Sequence, residues 1–174
     1  MKIKQLFSSD LSPEALRYCK INSKKHHIDN EIKQGSLFEP WEHTKFDLIV
    51  NDISGISEEV AKISKWFEFA PCNSGSDGLL LTKKIIEESK EHLTEEGHIV
   101  FPIISLCDHE RLLDFAKSKF KSLSKISSNN WFLPDELSNI NEELLIKLKN
   151  ENKIYFDQKF GKKICFTDIY VGKF

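Results

Sequence analysis

At 174 residues the chain is long enough for one domain with a sizeable core. Hydrophobic residues make up 40% and charged residues 30%, a globular balance that excludes a disordered chain. The formal net charge of −2 gives no reason to expect non-specific nucleic-acid binding, although Lys24 and Lys25 leave room for a small local patch.

Residues 2–9 (KIKQLFSS) read as a strand ending at Asp10. Ser12 is a good helix N-cap and Pro13 suits the first helical position, where its missing N–H costs nothing. Ala15, Leu16 and Cys19 give that helix an apolar stripe, and the polar run 22–27 is expected to end it. Residues 31–38 (EIKQGSLF) read as a second, weaker strand. Residues 46–50 (FDLIV) follow as a fully buried strand of a parallel sheet, stopping at the polar pair Asn51–Asp52.

Residues 56–69 carry a short helix with Val60, Ile63, Trp66 and Phe67 apolar, and 71–78 (PCNSGSDG) are a loop by composition. A long helix runs from a cap near Asp77 through Leu93, with Gly97 closing the turn after it. Residues 99–105 (IVFPIIS) form another buried strand, although Pro102 removes a ladder donor. Asp108 caps a helix containing Leu112, Leu113, Ala116 and Phe120. Residues 135–150 read as one polar helix, and 164–171 (ICFTDIYV) as the strongest strand. This alternation predicts a Rossmann-like, doubly wound α/β fold with a mostly parallel sheet and an antiparallel last strand, in one domain spanning 1–174. There is no internal repeat, low-complexity tract or interdomain linker.

The cysteines, Cys19, Cys72, Cys107 and Cys165, are scattered, with no Cys-x-x-Cys pair. Three lie among apolar residues and read as core filler. The six histidines lack metal-ligand spacing, so no metal site is expected. Without a secretory signal or transmembrane run, the expected compartment is the cytoplasm, with no membrane partner.

Three segments, taken in order, carry a family likeness. Residues 10–22 (DLSPEALRYCKIN) hold an acidic residue after a strand, then a helix. Residues 35–40 (GSLFEP) with 46–51 (FDLIVN) lead to a polar motif, and 75–79 (GSDGL) with 85–97 (IIEESKEHLTEEG) follow it. Together they resemble the class I methyltransferases that use S-adenosylmethionine, in particular the release-factor glutamine methyltransferase group, over residues 6–103.

The resemblance implies an α/β methyltransferase domain that moves a methyl group from S-adenosylmethionine to a nitrogen of a protein, nucleic-acid or small-molecule acceptor. It implies that Asp10, with Leu11, holds the ribose, that Ser36 and Leu37 meet the adenine, and that Asn51 and Asp52 serve the acceptor, with Asn51 also near the cofactor. Two departures stand out. The family motif Asn-Pro-Pro-Tyr is here Asn51-Asp52-Ile53-Ser54. The family's first strand and helix, with their glycine-rich turn, have no counterpart before Asp10. The expectation is an incomplete domain, or one whose sheet is completed by a second chain or a second copy in a homodimer.

Each site residue also has a plain structural alternative. A strand-end carboxylate can accept both ribose hydroxyls, but Asp10 can equally hold the N–H groups near Ser12. Leu37 and Phe38 can wall an adenine or fill the core. Asn51 offers a donor and an acceptor to orient an amide, and Asp52 can take a proton or anchor a positive group, but both can simply cap the strand turn. Glycines 75 and 78 permit a mobile loop over the site, or only a helix start; GSDG is no P-loop. Trp66, Phe67 and Phe69 can form a substrate wall, though such a stripe is more often core. A different class of function is a non-catalytic binding or assembly module that has lost the cofactor cradle. A nicotinamide-dependent enzyme is disfavoured, since no Gly-x-Gly-x-x-Gly precedes Asp10.

Overall fold

The computed structural model describes residues 3–68 and 72–174. The chain divides into two compact units, Met1–Thr44 and Lys45–Phe174. The strand expected from Lys2 and the apolar stripe reaching Phe69 therefore extend beyond the described residues.

The smaller unit is a parallel β-α-β. Strand β1 (Leu6–Asp10) leads through helix α1 (Pro13–Lys25) to β2 (Asn30–Gln34), in register from Leu6↔Asn30 to Asp10↔Gln34. Ser12 Oγ accepts from Ala15 N–H at 3.3 Å, and Pro13 opens the helix. The helix runs through most of the polar stretch meant to end it, because Lys24 and Lys25 suit its negative C-terminal end. Strand β2 stops at Gln34 rather than reaching Phe38. Leu37 adopts φ +49° and Glu39 N–H bonds to Ser36 C=O, which turns the chain. Leu16, Phe38 and Trp41 are buried, and the Trp41 indole N–H holds Ser9 Oγ at 2.9 Å.

The larger unit is built on a mixed sheet. Its elements are β3 (Phe46–Val50), α2 (Glu58–Ile63), α3 (Leu80–His92), β4 (Leu93–Ile104), α4 (His109–Lys119), β5 (Ser122–Phe132), α5 (Asp135–Ile140), α6 (Glu142–Asn150), β6 (Asp157–Lys159) and β7 (Lys162–Lys173). The strand order is β3-β4-β7-β5, with β6 also paired to β7. Strands β3 and β4 are parallel; β7 runs antiparallel to β4 and β5. The expected α/β fold with an antiparallel last strand is the observed one.

Register sorts the sheet's side chains. Ile49, Ile99, Phe101, Ile103 and Tyr170 are buried on one face. Phe101 stacks on Phe120, which follows α4, and on Tyr170. Beyond the C-terminal end of the sheet, α2, α5 and α6 contribute Val60, Leu137, Leu145 and Leu148 to a core cluster with Leu106, Phe156 and Cys165. No helix among the described residues is long and apolar enough to cross a membrane.

Several expectations are corrected. Strand β3 is not fully buried: Leu48 is 44% and Val50 69% exposed, because β3 is an edge strand that, among the described strands, pairs with β4 alone. Gly97 lies inside β4, where a Cβ would meet Phe46 C=O at 2.8 Å; the parallel strand begins as soon as α3 ends. The helix of 135–150 breaks at Asn141 into α5 and α6. Strand β5 was not expected at all. Pro102 is harmless within β4: Val100 C=O accepts from Asn51 N–H, so Val100 and, by alternation, Pro102 face the side where β3 has ended.

Two cysteines are buried. Burial, then the charges of Asp108 and Asp77, push the Cys107 thiol up to about 12, and burial pushes Cys165 to about 11. At mildly alkaline pH a disulfide-exchange reagent should therefore titrate only the half-buried Cys19 and Cys72 before unfolding, and all four thiols after it. A third fast-reacting thiol in the native protein would contradict this packing.

Candidate functional site

The candidate residues fall into two groups, one in each unit. In the smaller unit, Asp10↔Gln34 is the last pair of the parallel register, and Gly35 N–H donates to Asp10 C=O at 3.2 Å. The structure thus brings Asp10 and Leu11 beside the turn holding Ser36 and Leu37, at the C-terminal ends of β1 and β2. Asp10 is exposed, and its Oδ1 accepts from Ser12 N–H at 2.7 Å. That is the local bond of the plain structural alternative, yet a carboxylate keeps further lone pairs on both oxygens. Gln34 Nε2 holds Leu11 C=O at 3.1 Å, and Ser36 N–H donates to Glu39 Oε2 at 3.0 Å. Leu37 is partly exposed in a left-handed conformation that a leucine adopts only under constraint.

In the larger unit, Asn51 ends β3 and is 5% exposed. Its backbone N–H continues the ladder onto Val100 C=O, and its side-chain Oδ1 accepts from Ile53 N–H at 3.2 Å. That bond identifies the oxygen, since an N–H needs an acceptor. The Nδ2 group makes no hydrogen bond among the described residues, so its donors remain available to a ligand. Asp52, next in the chain, is exposed.

Three loops beside Asn51 are tied together. Glu58 N–H donates to Gly75 C=O at 3.1 Å while Gly75 N–H donates to Glu58 Oε1 at 2.8 Å. Ser74 Oγ donates to Ser54 C=O at 2.5 Å, and Ser57 N–H to Leu106 C=O at 2.8 Å. Asp77 accepts from Leu79 N–H and from Arg111, and its carbonyl accepts from Asp108 N–H. Residues 74–78 are thus a bonded wall leading into α3, which fits the helix-start alternative for this stretch rather than the mobile loop. Sequence reasoning missed Glu58, Ser74 and Asp77 as its ties. Their partners lie 17, 20 and 34 residues away, so no local pattern marks them. Trp66 is 45% exposed and meets Trp131 edge-on, whereas Phe67 packs on the core cluster. No cluster of three metal-binding side chains occurs among the described residues.

Compared with known proteins, the chain is 29% identical over 100 residues to a ribosomal protein uL3 glutamine methyltransferase of Francisella tularensis, covering 54% of this chain and 32% of that one. It is 30% identical over 105 residues to a release factor glutamine methyltransferase of Thermodesulfovibrio yellowstonii, covering 57% and 38%. The chain is a distant relative of the glutamine methyltransferases. That family uses S-adenosylmethionine. The chain spans about a third of the length of the relatives it matches, from 32% to 39%, and no family model matches it. The fold agrees with two solved structures. The YcgJ protein of Bacillus subtilis has a TM-score of 0.56 at 9% identity, covering 98% of this chain and 82% of that one. The ribosomal protein L11 methylase of Lactobacillus delbrueckii has a TM-score of 0.51 at 17% identity, covering 98% and 59%.

Proposed function

We propose that this methyltransferase relative acts on an amide nitrogen, with a protein glutamine as the favoured acceptor. The observation that carries the proposal is Asn51: buried at a strand end, its oxygen held by Ile53 and its nitrogen left to donate. Such a donor can bind an acceptor amide's carbonyl oxygen and so fix where the amide nitrogen points. Asp52 is close enough in sequence to take the proton that the nitrogen loses. Asp10 and Leu11 would hold the ribose of the cofactor, and Ser36 and Leu37 its adenine. Bound S-adenosylmethionine supplies an electrophilic methyl group. The relatives' names supply the glutamine.

Asn51→Asp separates the roles, because it keeps an acceptor for Ile53 N–H and removes the donor. It should lower methyl incorporation from labelled S-adenosylmethionine into a glutamine-containing peptide by about a hundredfold. Asp10→Asn keeps the Ser12 bond and should weaken cofactor binding by about tenfold, read by calorimetry. Unchanged turnover in Asn51→Asp would remove Asn51 from the mechanism.

The non-catalytic module remains the second reading, favoured by one observation. Asp10 and Asn51 each commit an oxygen to a backbone N–H two residues on, which is a sufficient structural reason for both. Absence of S-adenosylmethionine binding by the chain would support the module.

A further inference from the structure

We propose that the outer face of the β5–β7–β6 ribbon, with the hairpin turn at its end, is a docking surface for single-stranded RNA. The first observation is the turn. Phe160 and Gly161 join β6 to β7 between the paired residues Lys159 and Lys162, and both have positive φ, +53° and +73°. A two-residue hairpin of that kind usually takes asparagine then glycine, because the first position is strained for most other side chains. Here it holds a phenylalanine that is 91% exposed. A Cβ on Gly161 would meet no atom of the described residues within 4 Å, so nothing packs on the turn there. Behind the ring, two lysines face each other directly across the ladder, an arrangement that like charges disfavour. A partner with flat apolar faces and negative charge offsets the exposed ring and the facing lysines alike.

The second observation is the face behind the turn. Pairing places Asp157 and Phe132 on either side of Ile164, and Asn130 beside Phe166. By alternation Lys162, Ile164 and Phe166 lie on one side of β7 and the buried Lys163 and Cys165 on the other, where Ser138 of α5 and Glu142 of α6 hold Lys163. On the outer side Phe132 is 57% exposed, and Lys162 Nζ lies 5.5 Å from its ring centre. Farther along, Phe166, His109 and Tyr155 form a half-buried group of rings, with centroids 5.0, 5.5 and 6.1 Å apart. The face thus carries rings and ammonium groups over about 15 Å of strand, from Phe160 to Phe166.

Turn and face together select the occupant. Bases stack on aromatic rings whatever their sequence, and each brings a phosphate for a nearby cation. A protein partner is a poorer match, because lysine is depleted in protein–protein interfaces. A bilayer is poorer still, since one tip ring and two charges fall far short of the two signals that stable anchoring takes. A duplex keeps its base faces inside the stack, whereas a single strand can splay them out. Asn130 is exposed on the same face, and its amide matches a 2′-hydroxyl as both donor and acceptor, which selects RNA over DNA. The chain's net charge is −2, so the attraction is local to this face. The inference does not depend on methyl transfer.

The test uses the full chain and, as probe, a fluorescently labelled oligouridine of about ten nucleotides, read by anisotropy. Binding should be saturable, should weaken as salt is raised, and should be lower for the duplex with oligoadenosine and for oligothymidine. Phe160→Asn should weaken binding by about tenfold or more, with a melting temperature at or above the parent's, since asparagine suits the turn. Lys162→Gln should reduce the salt slope by about 0.7, the loss of one phosphate contact on a single strand. Lys24→Gln, on α1 in the other unit, should leave the affinity unchanged. No binding at low salt, equal affinity for oligothymidine, or affinity unmoved by both Phe160→Asn and Lys162→Gln would overturn the proposal. So would Phe160-dependent attachment to phosphatidylserine vesicles in place of oligomer binding.

Discussion

Gly78→Val should destabilise the larger unit by about 3 kcal/mol or more, seen as a lower guanidinium midpoint. Gly78 has φ +74°, a region that β-branched side chains avoid. A Cβ there would meet Ile56 C at 2.6 Å, Cys107 Cβ at 2.7 Å and Ser57 N at 2.8 Å. None of these atoms ends a flexible side chain. Ile56 and Ser57 belong to the loop after β3, and Cys107 to the loop after β4, so relief requires the bonded wall beside Asn51 to open. Gly75→Val is the control. It has φ +80°, but the nearest atom to its Cβ is Asp77 Oδ1 at 3.4 Å. The backbone penalty is shared and the collision is not, so Gly78 should cost distinctly more. Equal losses at the two positions would show that Gly78 is needed only for its φ angle.

Phe101→Ala should cost about 3–5 kcal/mol, and Phe101→Leu less than about 1.5. Phe101 lies on β4 with no exposed surface. Its ring centroid is 5.9 Å from that of Phe120 and 6.1 Å from that of Tyr170, with interplanar angles of 28° and 24°. Truncation empties the middle of this stack, and the β4–β7 ladder on one side limits how far the backbone can collapse. Leucine keeps most of the volume and loses only the ring contacts. Val50→Ala, on the neighbouring strand but 69% exposed, should lie within about 0.5 kcal/mol of the parent. Thermal melts of the three variants order the effects. A small loss in Phe101→Ala would mean that this face of the sheet is less tightly packed than it looks.

The same sheet shows what a linear pattern can and cannot carry. Strand β3 was legible to the residue, because an apolar run stopping at Asn51–Asp52 has few other solutions. Its exposure was not, because burial depends on neighbours far along the chain. Strand β5 (SLSKISSNNWF) was invisible: it is mostly exposed, and pairing with β7 makes it a strand. The helix starts at Ser12–Pro13 and Asp108 were readable because capping is decided within three residues. In the candidate site, Asp10 and Asn51 stood out as polar residues at strand ends, and their bonds to Ser12 and Ile53 are local as well. The Glu58–Gly75, Ser74–Ser54 and Asp77–Arg111 ties are not local, so composition left the stretch between a mobile loop and a helix start.

By itself, then, the order of residues determined strand β3, the helix starts at Ser12–Pro13 and Asp108 and the α/β alternation, which depend on short-range stereochemistry and apolar periodicity, while three short segments in order carried the likeness to glutamine methyltransferases. Only the folded chain decided which strands pair, that β3 pairs with β4 at an edge among the described strands, and which loops the Glu58, Ser74 and Asp77 bonds tie together. Those outcomes come from backbone groups meeting across dozens of residues, where hydrogen bonding and burial are satisfied jointly and no local rule applies.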